Sequence, residues 1–141
     1  MTKRFTMLAF IAALIMASVL PAYAARTALT VQTKPGLYGT IGAGALGLTF
    51  TAADAVNKNE FIGSGREAII ARNVGASAYT VTISSAPDEL GRVKDVGPYS
   101  IPANGVAYFG PVPLRGFGQS QRKIYLEASN ASIEFAVVRV R

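Results

Sequence analysis

Asp54, Asn57, Asn59 and Glu60 crowd oxygen-bearing side chains into one short stretch, and hard cations such as Ca2+ take carboxylate and amide oxygens as ligands. The stretch lacks the one-three-five ligand order and the central glycine of an EF-hand loop. A capped turn is therefore the expected structure, with Ca2+ as the alternative. Asp88 and Glu89 lie side by side in the turn Ser85-Ala86-Pro87-Asp88-Glu89-Leu90-Gly91. Glycosidase chemistry needs two carboxyls held several ångströms apart across a cleft, whereas adjacent acids in a turn are solvated. Glu127 and Glu134 flank the last expected hairpin. Like charges set them apart or pair them with Arg122, Lys123 or Arg139.

The inventory narrows the chemistry further. The chain has no Cys, no His and no Trp. That removes disulfides, Cys or His metal sites, and nucleophiles activated by histidine. The glycines between Gly39 and Gly47 have no following Lys and no following helix, so they do not make a phosphate-binding loop. No catalytic residue, cofactor or metal is expected, and the chain reads as a non-enzyme. The formal charge of +6 comes from Lys and Arg scattered singly, unlike the clustered bases interleaved with aromatics of nucleic-acid binders. Arg139 and Arg141 share one face of the final strand. Asn130-Ala131-Ser132 matches a glycosylation sequon, a three-residue pattern common by chance.

The first 24 residues form a separate object. Lys3 and Arg4 precede a run from Phe5 to Leu20 without a charge, and Pro21-Ala22-Tyr23-Ala24 closes it with small residues. This is the layout of a secretory signal peptide cleaved after Ala24, and the run is shorter than the roughly 20 apolar residues of a bilayer span. Removing it leaves Ala25 to Arg141, with a net charge of +4 once Lys3 and Arg4 are gone. The apolar share falls from 50% to about 45%, ordinary for one soluble domain. The expected location is periplasmic or extracellular, with no membrane contact after cleavage.

The remaining pattern has a period of two. Tyr79-Thr80-Val81-Thr82-Ile83-Ser84 alternates apolar and hydroxyl residues, as a half-buried strand does. Leu29-Thr30-Val31-Gln32 and Leu46-Gly47-Leu48-Thr49-Phe50-Thr51 alternate likewise. Ala68 to Ala71 and Phe135 to Val138 are apolar throughout and read as central strands. Val106 to Phe109 and Ile124 to Glu127 complete seven or eight short strands.

The segments Asn73-Val74-Gly75-Ala76-Ser77, Pro102-Ala103-Asn104-Gly105 and Ser129-Asn130-Ala131 supply the turns. The expected fold is all-β, a single antiparallel β-sandwich of jelly-roll type. Two segments fall outside the strands: a glycine-rich loop from Lys34 to Gly44, and Pro111 to Gln119. Their apolar side chains either form a contact surface, with Leu37, Tyr38, Leu114, Arg115 and Phe117 as its candidates, or tuck under the sandwich as end caps.

From Ala25 onward the chain resembles small tailed-phage virion proteins of the head decoration or cement type. The resemblance runs through Ala25 to Gln32, Leu48 to Asp54, Gly65-Arg66-Glu67, Ala71 to Ser77, Thr80 to Ile83, Asp88 to Arg92, Tyr99 to Ala103, Phe109-Gly110-Pro111 and Phe135 to Arg139. It implies a β-sandwich that binds the outside of a capsid lattice as an oligomer, with no catalytic residues to carry over. The leader departs from that pattern, because phage heads assemble in the cytoplasm. It points to an upstream fusion or to a domain of this kind adopted for work outside the membrane.

The leading expectation is thus a structural protein acting by surface association, as a homo-oligomer or on a protein lattice. The alternative is an exported module that binds carbohydrate or another small ligand on a wet face with clustered tyrosines and carboxylates. A calcium-dependent hydrolase comes third. Mass spectrometry of the exported protein is expected to find Ala25 as its first residue; an intact Met1 terminus would remove the leader from the account.

Overall fold

The computed structural model describes residues 25–34 and 44–140, so the leader, Leu37, Tyr38 and Arg141 lie outside the described residues. Strands make up 44% of those residues and helical turns 7%, which makes the protein mostly β. In chain order the strands are β1 (Thr27–Ala28), β2 (Val31–Thr33), β3 (Thr51–Ala52), β4 (Asn59–Ile62), β5 (Glu67–Asn73), β6 (Tyr79–Ser84), β7 (Val96–Ile101), β8 (Val106–Phe109), β9 (Lys123–Ala128) and β10 (Ile133–Arg139). Short helical turns at Leu114–Phe117 and Ser120–Arg122 precede β9.

The strands form two mixed sheets that do not close into a barrel. The first has the order β1-β4-β9-β6-β7, and the second β2-β10-β5-β8, with β3 also pairing β10. The period of two explains how they meet. Phe61, Val81, Ile83, Ile101, Ile124 and Leu126 from the first sheet join Ile69, Ala71, Ile133, Phe135 and Val137 from the second in one buried core. Thr80, Thr82 and Ser84 stay half-exposed on the other face of β6. Removing that apolar area from water is the main driving force for the two sheets to pack.

The apolar runs at Ala68 to Ala71 and Phe135 to Val138 are central, as expected: β5 and β10 are neighbours over seven residue pairs. Other expectations are corrected. The stretch Leu29 to Gln32 is not one strand, because the chain crosses between sheets at the buried Leu29: β1 pairs β4 and β2 pairs β10. Of Leu46 to Thr51, only Thr51 enters a strand. The residues before it run across the outer face of the second sheet, where Gln32 and Thr49 exchange hydrogen bonds of 2.7 and 2.9 Å and the Arg72 guanidinium lies 4.0 Å over the Phe50 ring. Strands β4 and β7, hidden in sequence by charge, glycine and proline, belong to the first sheet.

The turns were legible in position but not in what they join. The residues 74–78, 102–105 and 129–132 each link strands of opposite sheets, so none closes a hairpin. Among the described strands, only β6 and β7 are both consecutive and paired. In that pair the register shifts between Val81 and Ile83. Gly97 sits opposite at φ +114°, where a Cβ would stand 2.6 Å from the Val81 carbonyl.

Asn73, 1% exposed at the end of β5, ties the crossing turns together. Its Nδ2 donates to the carbonyls of Ser77 (2.7 Å), Ile101 (2.9 Å) and Pro102 (3.1 Å), and its Oδ1 accepts from the Gly75 amide (2.9 Å). Its own amide donates to Gly105, and the Val74 amide donates to Ser132. Asn73→Ala would strand buried carbonyls without donors. A loss of about 3 kcal/mol in urea unfolding is expected; a loss within measurement error would show that the turns hold without it.

Candidate functional site

The oxygen-rich stretch is a capped turn. The Asp54 carboxylate accepts from the Thr27 hydroxyl (2.6 Å), the amides of Val56 (3.0 Å) and Asn57 (2.8 Å), and the Asn57 side chain (3.0 Å). These bonds, led by that of Thr27, lower its pKa to about 2. Asn59 is fully buried and points inward, its Oδ1 accepting from the Asp54 amide at 2.9 Å. Glu60, next along β4, faces the opposite side and pairs with Lys123 at 2.7 Å. The four side chains therefore do not converge on one point: Asp54 and Asn57 meet in the turn, Asn59 points to the interior, and Glu60 lies on the outer face. The hydrogen bond from Lys123 to Glu60 raises the lysine pKa.

Most of the other carboxylates are likewise engaged. Asp88 accepts from the amides of Leu90 and Arg92 (both 2.9 Å) and from Arg92 Nε (2.7 Å), and these bonds, that of the Arg92 amide first, lower its pKa. Glu127 and Glu134 do sit apart, but their partners differ from those expected. Because β9 and β10 belong to different sheets, the two acids lie on opposite outer faces. Glu127 meets Arg26 at 3.0 Å and Lys58 at 3.6 Å, while Glu134 meets Arg72 at 2.6 Å. The Asn130 Oδ1 of the sequon accepts from the Ser132 amide at 2.8 Å.

The outer face of the first sheet is the wet face on which a small ligand would stack. Its ring is Tyr125, already covered by the Arg26 guanidinium at 4.1 Å, and its acids Glu60 and Glu127 are ion-paired. The described tyrosines are dispersed. Tyr79 is half-buried against the core, Tyr99 stands on β7, Tyr108 on β8 and Tyr125 on β9.

Of the candidate contact residues, Leu114 and Phe117 are half-buried and pack against the core, while Arg115 is exposed. For these two apolar side chains the end-cap arrangement holds. Phe117 also lines a cleft of about 310 Å3, with Val96, Tyr108, Phe109 and Pro113 among its walls. That cleft opens beside β7 and β8, the last strands of their sheets among the described residues. Phe109, one of its walls, also meets the Tyr99 ring edge-to-face at 5.8 Å. Outside, Val96, Tyr99, Val106 and Tyr108 are 41%, 52%, 67% and 61% exposed. Strand β7 and the exposure of Val106 and Tyr108 were missed in sequence, because β8 looks like any half-buried strand until it is known to be an edge.

Sequence reasoning also missed the buried Glu67. It lies at the start of β5, opposite the Asn73 end, and its side chain is 1% exposed. Its carboxylate accepts from the Ser64 amide (2.6 Å) and hydroxyl (2.7 Å), the Arg66 amide (3.3 Å) and Arg139 Nε (2.9 Å). Burial alone would raise its pKa, yet the Ser64 and Arg139 bonds outweigh burial and bring it to about 2. Glu67 thus holds the 63–66 loop to the end of β10.

No protein-family model, no curated protein and no solved structure matches this chain.

The depressed Glu67 pKa sets a pH dependence. Between its ordinary 4.5 and about 2 the unfolded chain binds the proton more readily. The stability contributed by Glu67 is therefore complete above pH 4.5 and is lost as pH falls toward 2. Thermal melts across that range should show the loss, and Glu67→Gln should flatten it while lowering stability at neutral pH. An unchanged pH profile in the variant would assign the dependence to other acids.

Proposed function

We propose that this protein is an exported, non-enzymatic jelly-roll β-sandwich that works by surface association, binding copies of itself or a protein lattice in the manner of a head-decoration protein. The strand order supports the jelly-roll reading. With β1 and β2 set aside, the strands run β3-β10-β5-β8 in one sheet and β4-β9-β6-β7 in the other, an order that two wound Greek keys would produce. The leader supports export, and the likeness of Ala25 to Arg139 to phage decoration proteins supports the lattice.

The observation that carries the association is the apolar flank at β7 and β8. Edge strands present unpaired amides and carbonyls, and natural proteins blunt them with proline or charge. Strand β7 carries Pro98, whereas β8, Val-Ala-Tyr-Phe, carries neither proline nor charge. An edge strand that pairs antiparallel with its own copy makes a self-complementary two-fold interface, and Val106 and Tyr108 would be buried alongside it.

Sedimentation velocity over a concentration series is expected to show an oligomer at tens of micromolar, a range typical of modest interfaces. Val106→Lys and Tyr108→Glu should leave the melting temperature unchanged and yield a monomer. A parent protein that stays monomeric throughout, or variants that associate as well as the parent, would sink the proposal.

A further inference from the structure

The two ends of the molecule differ in charge and in what their loops display. At the end where Asn73 gathers the turns, residues 74–78, 102–105 and 129–132 hold no charged side chain. Nearby Arg26, Lys58 and Arg72 are all ion-paired. At the other end, the loops 63–66, 85–95 and 110–122 are bound together: the Gly63 amide donates to Arg122 and Ala86 to Gly116, while Val112 donates to Glu67 at the start of β5. These loops carry Arg66, Arg92, Lys94, Arg115 and Arg122 against Asp88, Glu89 and Asp95. Arg66, Lys94, Arg115 and Arg122 are exposed and enter none of the ion pairs among the described residues. Two of the acids are occupied: Asp88 by Arg92, and Asp95 by the Ser85 amide and hydroxyl at 2.7 and 3.0 Å. Only Asp88 is neutralised by a cation; Glu89 and Asp95 both keep their charge against the four cations, so the five bases and three acids of these loops leave a net charge of +2.

The same end displays apolar side chains at the tip of a built loop. Leu90 is 76% exposed and Val93 is 61% exposed. Asp88 holds the turn between them, since it also receives the Gly91 amide on its carbonyl and donates its own amide to Arg92. Leu90, Arg92 and Arg115 line one open cleft, and Arg92, Val93 and Lys94 line the next. Lys94, Arg115 and the paired Arg92 therefore stand beside the apolar tip, in clefts that Asp88 and Glu89 also line.

We infer that this end seats the protein on the surface of a bilayer carrying anionic lipid, with Leu90 and Val93 entering the interface and Lys94 and Arg115 meeting the headgroups. Apolar side chains flanked by bases suit an interface that is oily inside and negative at its rim. A single-stranded nucleic acid would instead call for aromatic rings on which bases stack. The aromatic residue of these loops, Phe117, packs against the core. The contact is peripheral, and it reverses the expectation from sequence of no membrane contact. It is independent of the β8 edge, so either can fail alone.

The chain has no cysteine, so Leu90→Cys offers one site for an environment-sensitive dye, and Ala103→Cys at the uncharged end offers the control. The full chain is titrated with vesicles of phosphatidylcholine alone or mixed with phosphatidylserine. The dye at 90 should blue-shift only on the mixed vesicles, and the dye at 103 should stay aqueous. A basic side chain near an anionic surface contributes roughly five-fold in partitioning, so Lys94→Gln with Arg115→Gln should weaken the effect on the order of twenty-fold. An aqueous dye at 90, an equal shift at 103, insensitivity to the double substitution, or binding to a DNA duplex without binding to vesicles would each overturn the inference.

Discussion

Strand β5 carries a buried polar side chain at each end, and the connections between the sheets depend on what those two side chains bond. Asn73 binds the crossing turns at one end through three carbonyls and an amide. Glu67 fastens the 63–66 loop and the end of β10 at the other. Buried polar groups are costly unless satisfied, and strongly position-specific when they are. The apolar core between them is permissive by comparison, since alternating Val, Ile, Leu and Phe would pack in several registers. The polar ends select one of them.

The same bonding accounts for six of the acidic residues. Asp54, Glu60, Glu67, Asp88, Glu127 and Glu134 each hold a turn or a neighbouring cation. Where their pKa values move, they move down, toward a permanently ionised acceptor. A general acid needs the opposite shift, toward the working pH. What remains unengaged is surface: an apolar edge on one flank and a basic, apolar-tipped set of loops at one end. The proposed self-association and the proposed bilayer contact would use the two together.

Much of the sheet content was legible in sequence because the period of two reports one buried face. Tyr79 to Ser84 and the apolar runs in β5 and β10 show this directly. The connectivity was not legible, because a turn signal such as Asn104-Gly105 marks where the chain bends without stating which strand it will pair with. A hairpin and a crossing between sheets share the same glycines and asparagines. Strand β4 was obscured because Asn59 and Glu60 look like turn residues. Only the fold reveals that Asn59 is buried and bonded to Asp54, while Glu60 faces Lys123. Glu67 was passed over for the converse reason: nothing local predicts that Arg139, distant in sequence, will face it. The contact candidates Leu114 and Phe117 were legible as apolar, but their half-burial against the core depends on the folded 110–122 loop.

Hydrogen exchange measured at low and high protein concentration tests most directly whether the β8 edge is the surface through which this domain associates. The amides of Val106 to Phe109 that face away from β5 should exchange quickly in dilute solution and slow markedly as concentration rises, while the turns 74–78 and 129–132 stay unchanged. Exchange in β8 that is independent of concentration would contradict it.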